Sequence, residues 1–156
     1  MADTTVPKVA ADIMTRQVIT LSPEDTLENI EEGMKRFRFR HLPVVDAEGA
    51  LLGIVTHRDL LAASSSILSA DMDKRNDVIR KRGRVEMIMH RDVATVDRNE
   101  SLARVADTMM DNKIGSVVVV DDKKHVLGII TEADFVALCS QLLRELWSGS
   151  LPPQAP

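Results

Sequence analysis

Two clusters in this sequence carry residue types suited to chemistry: Gly53-Ile54-Val55-Thr56-His57-Arg58-Asp59 and Gly128-Ile129-Ile130-Thr131-Glu132-Ala133-Asp134. Both read Gly-x-x-Thr-x-x-Asp. A β-rich run that ends at Thr56 or Thr131 and passes into a helix leaves helix N–H groups pointing outward, where they favour an anion such as phosphate. Asp59 and Asp134, one turn further on, could accept hydrogen bonds from a vicinal diol such as ribose. Gly53 and Gly128 lack a Cβ, so a ligand or another backbone could approach closely. The same pattern has a purely local use, because Thr-x-x-Asp ahead of an apolar run is close to a capping box. The residue types leave both uses open.

Other chemistries find little support. The histidines at 41, 57, 90 and 125 show no metal-ligand spacing. No serine sits in a Gly-x-Ser-x-Gly elbow, and no Gly-x-x-x-x-Gly-Lys phosphate loop is present. Cys139, the single cysteine, excludes an internal disulfide and fits a reducing compartment. Its place on the apolar side of a predicted helix suits a buried small residue better than a nucleophile. The expectation is a protein that is not an enzyme, with no metal site and no required cofactor.

The elements that must position the two clusters are themselves written twice, at a fixed offset of 75 positions. Ile13-Met14 returns as Ile88-Met89, Val18 and Thr20 as Val93 and Thr95, Leu27 as Leu102, and Val44-Val45-Asp46 as Val119-Val120-Asp121. A period this long denotes paired domains, not a solenoid. In each copy a short apolar stretch (Val18 to Leu21; Val93 to Val96) leads into a helix. Ser22 with Asp25, and Asp97 with Glu100, are its expected caps. Apolar residues then recur with helical period at Leu27, Ile30, Met34 and Phe37, and at Leu102, Val105 and Met109. Two β-rich runs follow (Leu42 to Val45 with Leu51 to Val55; Val117 to Val120 with Val126 to Ile130), joined by polar turns. A last helix starts at Thr56 and at Thr131. The order β-α-β-β-α, twice, predicts an α/β (α+β) fold of two repeats packed about a pseudo-two-fold axis. The expected boundaries are 8–66, a linker 67–84, 85–146, and a disordered tail 147–156.

Bulk properties set limits. With 156 residues, 44% apolar and 28% charged, the chain is an ordinary globular protein, and each half alone would be marginal. A net charge of -4 argues against nucleic acid as a partner. The basic run Arg80-Lys81-Arg82-Gly83-Arg84 reads as a solvated linker more readily than as an anion contact. No apolar run is long enough to span a bilayer and no signal peptide is recognisable, so the expected location is cytoplasmic. Leu138, Leu142, Leu143, Leu146 and Trp147 form an apolar stripe suited either to core packing or to a dimer face.

Taken in register, these motifs resemble a tandem cystathionine-β-synthase (CBS) domain pair, or Bateman module. The residues that carry the resemblance are Asp12 to Thr20, Arg40-His41-Leu42-Pro43-Val44-Val45-Asp46 and Gly53 to Asp59, with Ile88-Met89, Val93 to Thr95, Ile114 to Asp121 and Gly128 to Asp134. The match spans roughly residues 8 to 146. It implies a regulatory fold binding an adenosine ligand, commonly AMP, ADP or ATP and sometimes S-adenosylmethionine, between the copies. It also implies a flat homodimer. Carried over by position, Thr56 and Thr131 would contact ribose or phosphate, Asp59 and Asp134 the ribose hydroxyls, and Val18 to Thr20 and Val93 to Thr95 the base. Arg40, His41, Pro43, Gly53 and Arg58, with Ser116 and Gly128, complete the implied nucleotide contacts.

The copies differ in charge. Arg36, Arg38, Arg40, His41 and Arg58 correspond to Asp111, Lys113, Gly115, Ser116 and Ala133. The site using Thr56 and Asp59 is therefore expected to favour phosphorylated adenosine over the site using Thr131 and Asp134. Arg36 and Arg38 read better as solvated helix-end charges, whereas Arg40, His41 and Arg58 stay open between contact and solvation. With no catalytic or transport domain recognisable, the chain is expected to act on another, unknown protein. A ligand-independent dimerisation module is the alternative.

Overall fold

The computed structural model describes residues 6–65 and 82–147; the linker expected at 67–81 and the tail from 148 lie outside these residues. In the first copy a single helical turn, α1 (Ala10–Ile13), precedes α2 (Leu27–Phe37), the hairpin β1 (His41–Val45) and β2 (Leu51–Thr56), and α3 (His57–Ser65). In the second, a 3₁₀ turn (Val85–Met87) and the short strand β3 (Thr95–Val96) precede α4 (Leu102–Asn112), β4 (Ser116–Val120), β5 (Val126–Thr131) and α5 (Glu132–Leu146). The expected order is thus realised in both copies. No helix among the described residues is long and apolar enough to cross a membrane.

The periodic faces pack as their spacing requires. Leu27, Ile30 and Met34 bury one stripe of α2, and Leu102, Val105 and Met109 bury the equivalent stripe of α4. Phe37, expected on that stripe, is 56% exposed. Each hairpin turn is held by an aspartate that accepts from two backbone N–H groups: Asp46 Oδ1 from Glu48 and Ala50, Asp121 Oδ1 from Lys123 and His125. The left-handed turn position is Gly49 in one copy and Lys124 in the other.

The contacts between copies are reciprocal under the 75-residue offset, which places the copies about a pseudo-two-fold axis. Thr15 bridges to Ile129, and Ile54 to His90. Val9 bridges to Ser101, and Thr26 to Arg84. Ala50 meets its own counterpart, His125, so the axis runs between them. Each copy's lead-in segment therefore packs on the other copy. Ala10 and Met14 belong to the core of Val96, Val105, Met109, Val117, Val119 and Ile130. Val85 belongs to the core of Leu21, Leu27, Ile30, Met34, Leu42, Val44, Val55 and Leu60. Burying a valine completely contributes about 1.5–3 kcal/mol, so neither core is complete without the other copy.

This exchange corrects three sequence readings. The helices begin at Leu27 and Leu102, capped by Thr26 and Ser101, not at Ser22 and Asp97. Ser22 N–H does donate to Asp25 Oδ2 (2.8 Å), but this closes only one turn. The carbonyls of Pro23 and Asp25 are occupied by Glu86 and Val85 N–H, and those of Arg98 and Glu100 by Ala11 and Ala10 N–H, so a helix cannot start there. Gly83 and Arg84 belong to the second lead-in, not to a solvated linker: Gly83 is buried and its carbonyl accepts from Leu27 N–H. Cys139 is exposed, because α5 buries no residue completely. Leu143, Leu146 and Trp147 are likewise exposed, so the apolar stripe is not core.

The two motif glycines are where the exchanged segments lie closest. A Cβ on Gly53 would sit 2.8 Å from the His90 carbonyl oxygen, and one on Gly128 would sit 2.6 Å from Met14 Sδ. Gly53→Ala is expected to cost about 1–3 kcal/mol in thermal or denaturant unfolding, because the obstacle is backbone. Gly128→Ala should cost less and be partly rescued by Met14→Ala. Strictly additive losses in that double-mutant cycle would contradict the packing described.

Candidate functional site

Thr56 closes the start of α3. Its N–H and its hydroxyl both donate to Asp59 Oδ2 (2.7 and 2.8 Å), and Asp59 N–H donates to Thr56 Oγ1 (3.3 Å). Thr131 and Asp134 repeat the arrangement at the start of α5, with 2.7 and 2.9 Å to Asp134 Oδ2. The local capping use is therefore present in both copies. It leaves one oxygen of each carboxylate for other partners. Asp59 Oδ1 lies 2.7 Å from His90 Nε2. Asp134 Oδ1 has no hydrogen-bond partner among the described residues.

Thr56 and Asp59 open onto a cleft of about 1200 Å³ between the copies. The first copy supplies Met34, Lys35, Arg38, Phe39, Arg40, His41, Ile54 and Thr56 to Asp59; the second supplies His90 to Ala94, Lys113 to Ser116 and Glu132. The lead-in exchange explains this mixture. Ile54 and His90 share two backbone hydrogen bonds of 2.9 Å, which carries Arg91 to Ala94 past the Thr56 end of β2. The first copy's Thr-x-x-Asp thus faces Val93 of the second copy, not its own Val18 to Thr20.

Of the residues expected at a site, Arg40, His41, Thr56, Arg58, Asp59, Val93 and Ser116 meet in this cleft. Val18, Thr20, Pro43, Gly53, Thr95, Gly128, Thr131 and Asp134 do not line it. Pro43 is buried in β1, where its carbonyl accepts from Leu21 N–H. Gly53 and Gly128 are filled against by Met89 and Met14. Arg36 lies over the Phe37 ring at 5.4 Å and does not line the cleft, whereas Arg38 does. Sequence reasoning missed Lys35, Phe39, His57, the run His90-Arg91-Asp92, and Glu132. The run just ahead of Val93 could have been found by extending the base-lining segment backwards to the Ile88-Met89 repeat.

The lining is electropositive. Lys35, Arg38, Arg40, Arg58, Arg91 and Lys113 face Asp59, Asp92 and Glu132, an excess of three positive charges in a chain whose net charge is -4. Such a cleft attracts anions against the overall field and offers charge-assisted donors to phosphate. Among the described residues, no group of three or more His, Cys, Asp or Glu is placed to hold a metal ion.

His41 stands at the meeting point of the copies. Its Nε2 lies 3.1 Å from where a Cβ of Gly115 would be, so the missing side chain at 115 makes its room. Burial pushes its pKa below the usual 6.5; Glu132 and Asp59 oppose this, while Arg40 and Arg58 reinforce it.

Comparison with known proteins matches this architecture. The CBS domain family profile matches residues 9–66 and 85–140. The uncharacterized protein MJ1225 of Methanocaldococcus jannaschii is 38% identical over 128 residues, covering 81% of this chain and 45% of that protein; the chain thus spans about half the length of this relative. A Vibrio cholerae protein provisionally assigned to acetoin utilization (AcuB) superposes with a TM-score of 0.74 at 36% identity, over 92% of this chain and 98% of the other. The CBS domain pair of protein MJ0100, solved with 5′-methylthioadenosine and S-adenosyl-L-methionine, superposes with a TM-score of 0.71 at 29% identity, over 87% and 99%. The chain belongs to the CBS domain family and carries a tandem pair.

Because burial favours the neutral imidazole of His41, its folded pKa lies below its unfolded value of about 6.5. Its contribution to stability is present above that value and lost as pH falls through the folded pKa. The melting temperature is expected to fall more steeply between pH 7.5 and 5 in the wild type than in His41→Gln. Parallel curves would show that His41 carries no such linkage.

Proposed function

We propose that this chain is a regulatory module that binds an adenosine ligand in the cleft between its two copies and acts on a partner protein. One observation carries the reading: Thr56 and Asp59 of the first copy meet Val93 of the second within one electropositive cleft. Helix N–H groups and cations suit phosphate, a carboxylate at the rim of α3 suits a ribose diol, and Val93, Ala94, Ile114 and Phe39 give an apolar surface for a base. The adenosyl ligands held by the MJ0100 CBS domain pair support the same class of molecule here. The charge excess favours a phosphorylated member (AMP, ADP or ATP) at the Thr56 site. Around Thr131 and Asp134 the counterparts Asp111, Gly115, Ser116 and Ala133 supply fewer cations, which favours a less charged ligand or weaker binding.

A homodimer belongs to the same proposal. Val136, Leu143, Leu146 and Trp147 lie exposed on or just beyond α5, an apolar face that a second copy would cover. If dimerisation is the whole function, adenine nucleotides leave the protein unchanged.

In a thermal-shift and calorimetry series, AMP, ADP and ATP are expected to raise the melting temperature. Arg58→Ala should weaken binding about 10-fold or more, the loss of a charge-assisted contact. Raising salt should weaken it further. Absence of any shift with all three nucleotides would contradict the proposal and leave the dimerisation module standing.

A further inference from the structure

We infer that His90 determines specificity at the Thr56 site by occupying the diol position of Asp59, so that phosphorylated ribosides bind and unphosphorylated nucleosides are rejected. The inference deepens the adenosine-ligand proposal and rests on it. Asp59 has two carboxylate oxygens. Oδ2 accepts from the Thr56 N–H and hydroxyl, and Oδ1 lies 2.7 Å from His90 Nε2. A vicinal diol can reach this carboxylate only by taking Oδ1 from the imidazole.

The imidazole cannot retreat with its backbone, which both 2.9 Å hydrogen bonds to Ile54 pin to β2. It can leave by rotation, since its side chain is 64% exposed while that of Asp59 is only 15% exposed. Rotation breaks a hydrogen bond to a carboxylate, and the released donor needs another acceptor. Close by in the lining stand Arg58 and Arg91, which are donors themselves. A ligand that brings a phosphate supplies the missing acceptor along with the diol. A nucleoside supplies the diol alone and must leave the imidazole uncompensated, so it is discriminated against.

The second copy is an internal control. Position 15, equivalent to 90, is threonine and has the same antiparallel pairing, Thr15 with Ile129. Its side chain makes no hydrogen bond to Asp134 among the described residues. The device is therefore built into the first site alone, where the cations for phosphate also lie.

The test uses the full chain with Asp134→Asn to silence the second site, and compares AMP with adenosine by calorimetry. The AMP-to-adenosine affinity ratio is expected to fall about 10-fold in His90→Thr, which copies position 15, chiefly because adenosine binds more tightly. His90→Gln, which keeps a donor, should hold most of the ratio. An unchanged ratio in His90→Thr, or weaker adenosine binding, would overturn the inference while leaving the adenosine-ligand proposal intact. Failure of both ligands to bind the folded wild type would overturn that proposal, and the inference with it.

Discussion

The antiparallel pairing of Thr15 with Ile129, and of His90 with Ile54, ties each lead-in segment to the other copy and makes the two repeats a single folding unit. The same exchange seats Met14 and Met89 against Gly128 and Gly53, completes both hydrophobic cores, and sets where α2 and α4 can begin. Half a chain of this length would have a marginal core in any case. Removing its first segment to the neighbour leaves it with an apolar face that only the neighbour can cover.

The site is a consequence of that exchange. A Thr-x-x-Asp cap by itself is a local device that satisfies a helix terminus. It gains a second role only because His90, Arg91 and Val93 arrive from the other copy beside it. The pseudo-two-fold repeats the backbone of this arrangement but not its charges. Arg40 and Arg58 stand where the second copy has Gly115 and Ala133, and His90 where the first lead-in has Thr15. One scaffold thus presents two chemically different positions, and the cations gather at the position where Asp59 is already engaged.

The sequence made the duplication, the hairpins and the buried helix stripes legible, because each depends on local spacing: Leu27, Ile30 and Met34 declare a face whatever surrounds them. The exchange was not legible. Under an offset of 75, Met14 against Gly53 and Met14 against Gly128 are equivalent as patterns, and only three-dimensional packing distinguishes them. The misplaced caps follow from the same blindness. Ser22 and Asp25 form the expected turn, but the neighbouring carbonyls are taken by backbone from 75 residues' register away. Cys139 and Leu143 failed differently, since an apolar stripe on the last helix does not say whether its cover lies in the same chain. Within the site, Arg40, His41, Thr56, Arg58 and Asp59 were found from motif position, whereas His90 needed the fold.

The account stands on one cleft built jointly by the two copies. Its most direct measurement is a titration of the isotopically labelled full chain with AMP, following backbone amide signals by NMR. Thr56 and Asp59 of the first copy and Val93 and Ala94 of the second are expected to shift together, along curves described by one dissociation constant. Shifts confined to one copy, separate constants for the two groups, or no response at either would contradict a shared site.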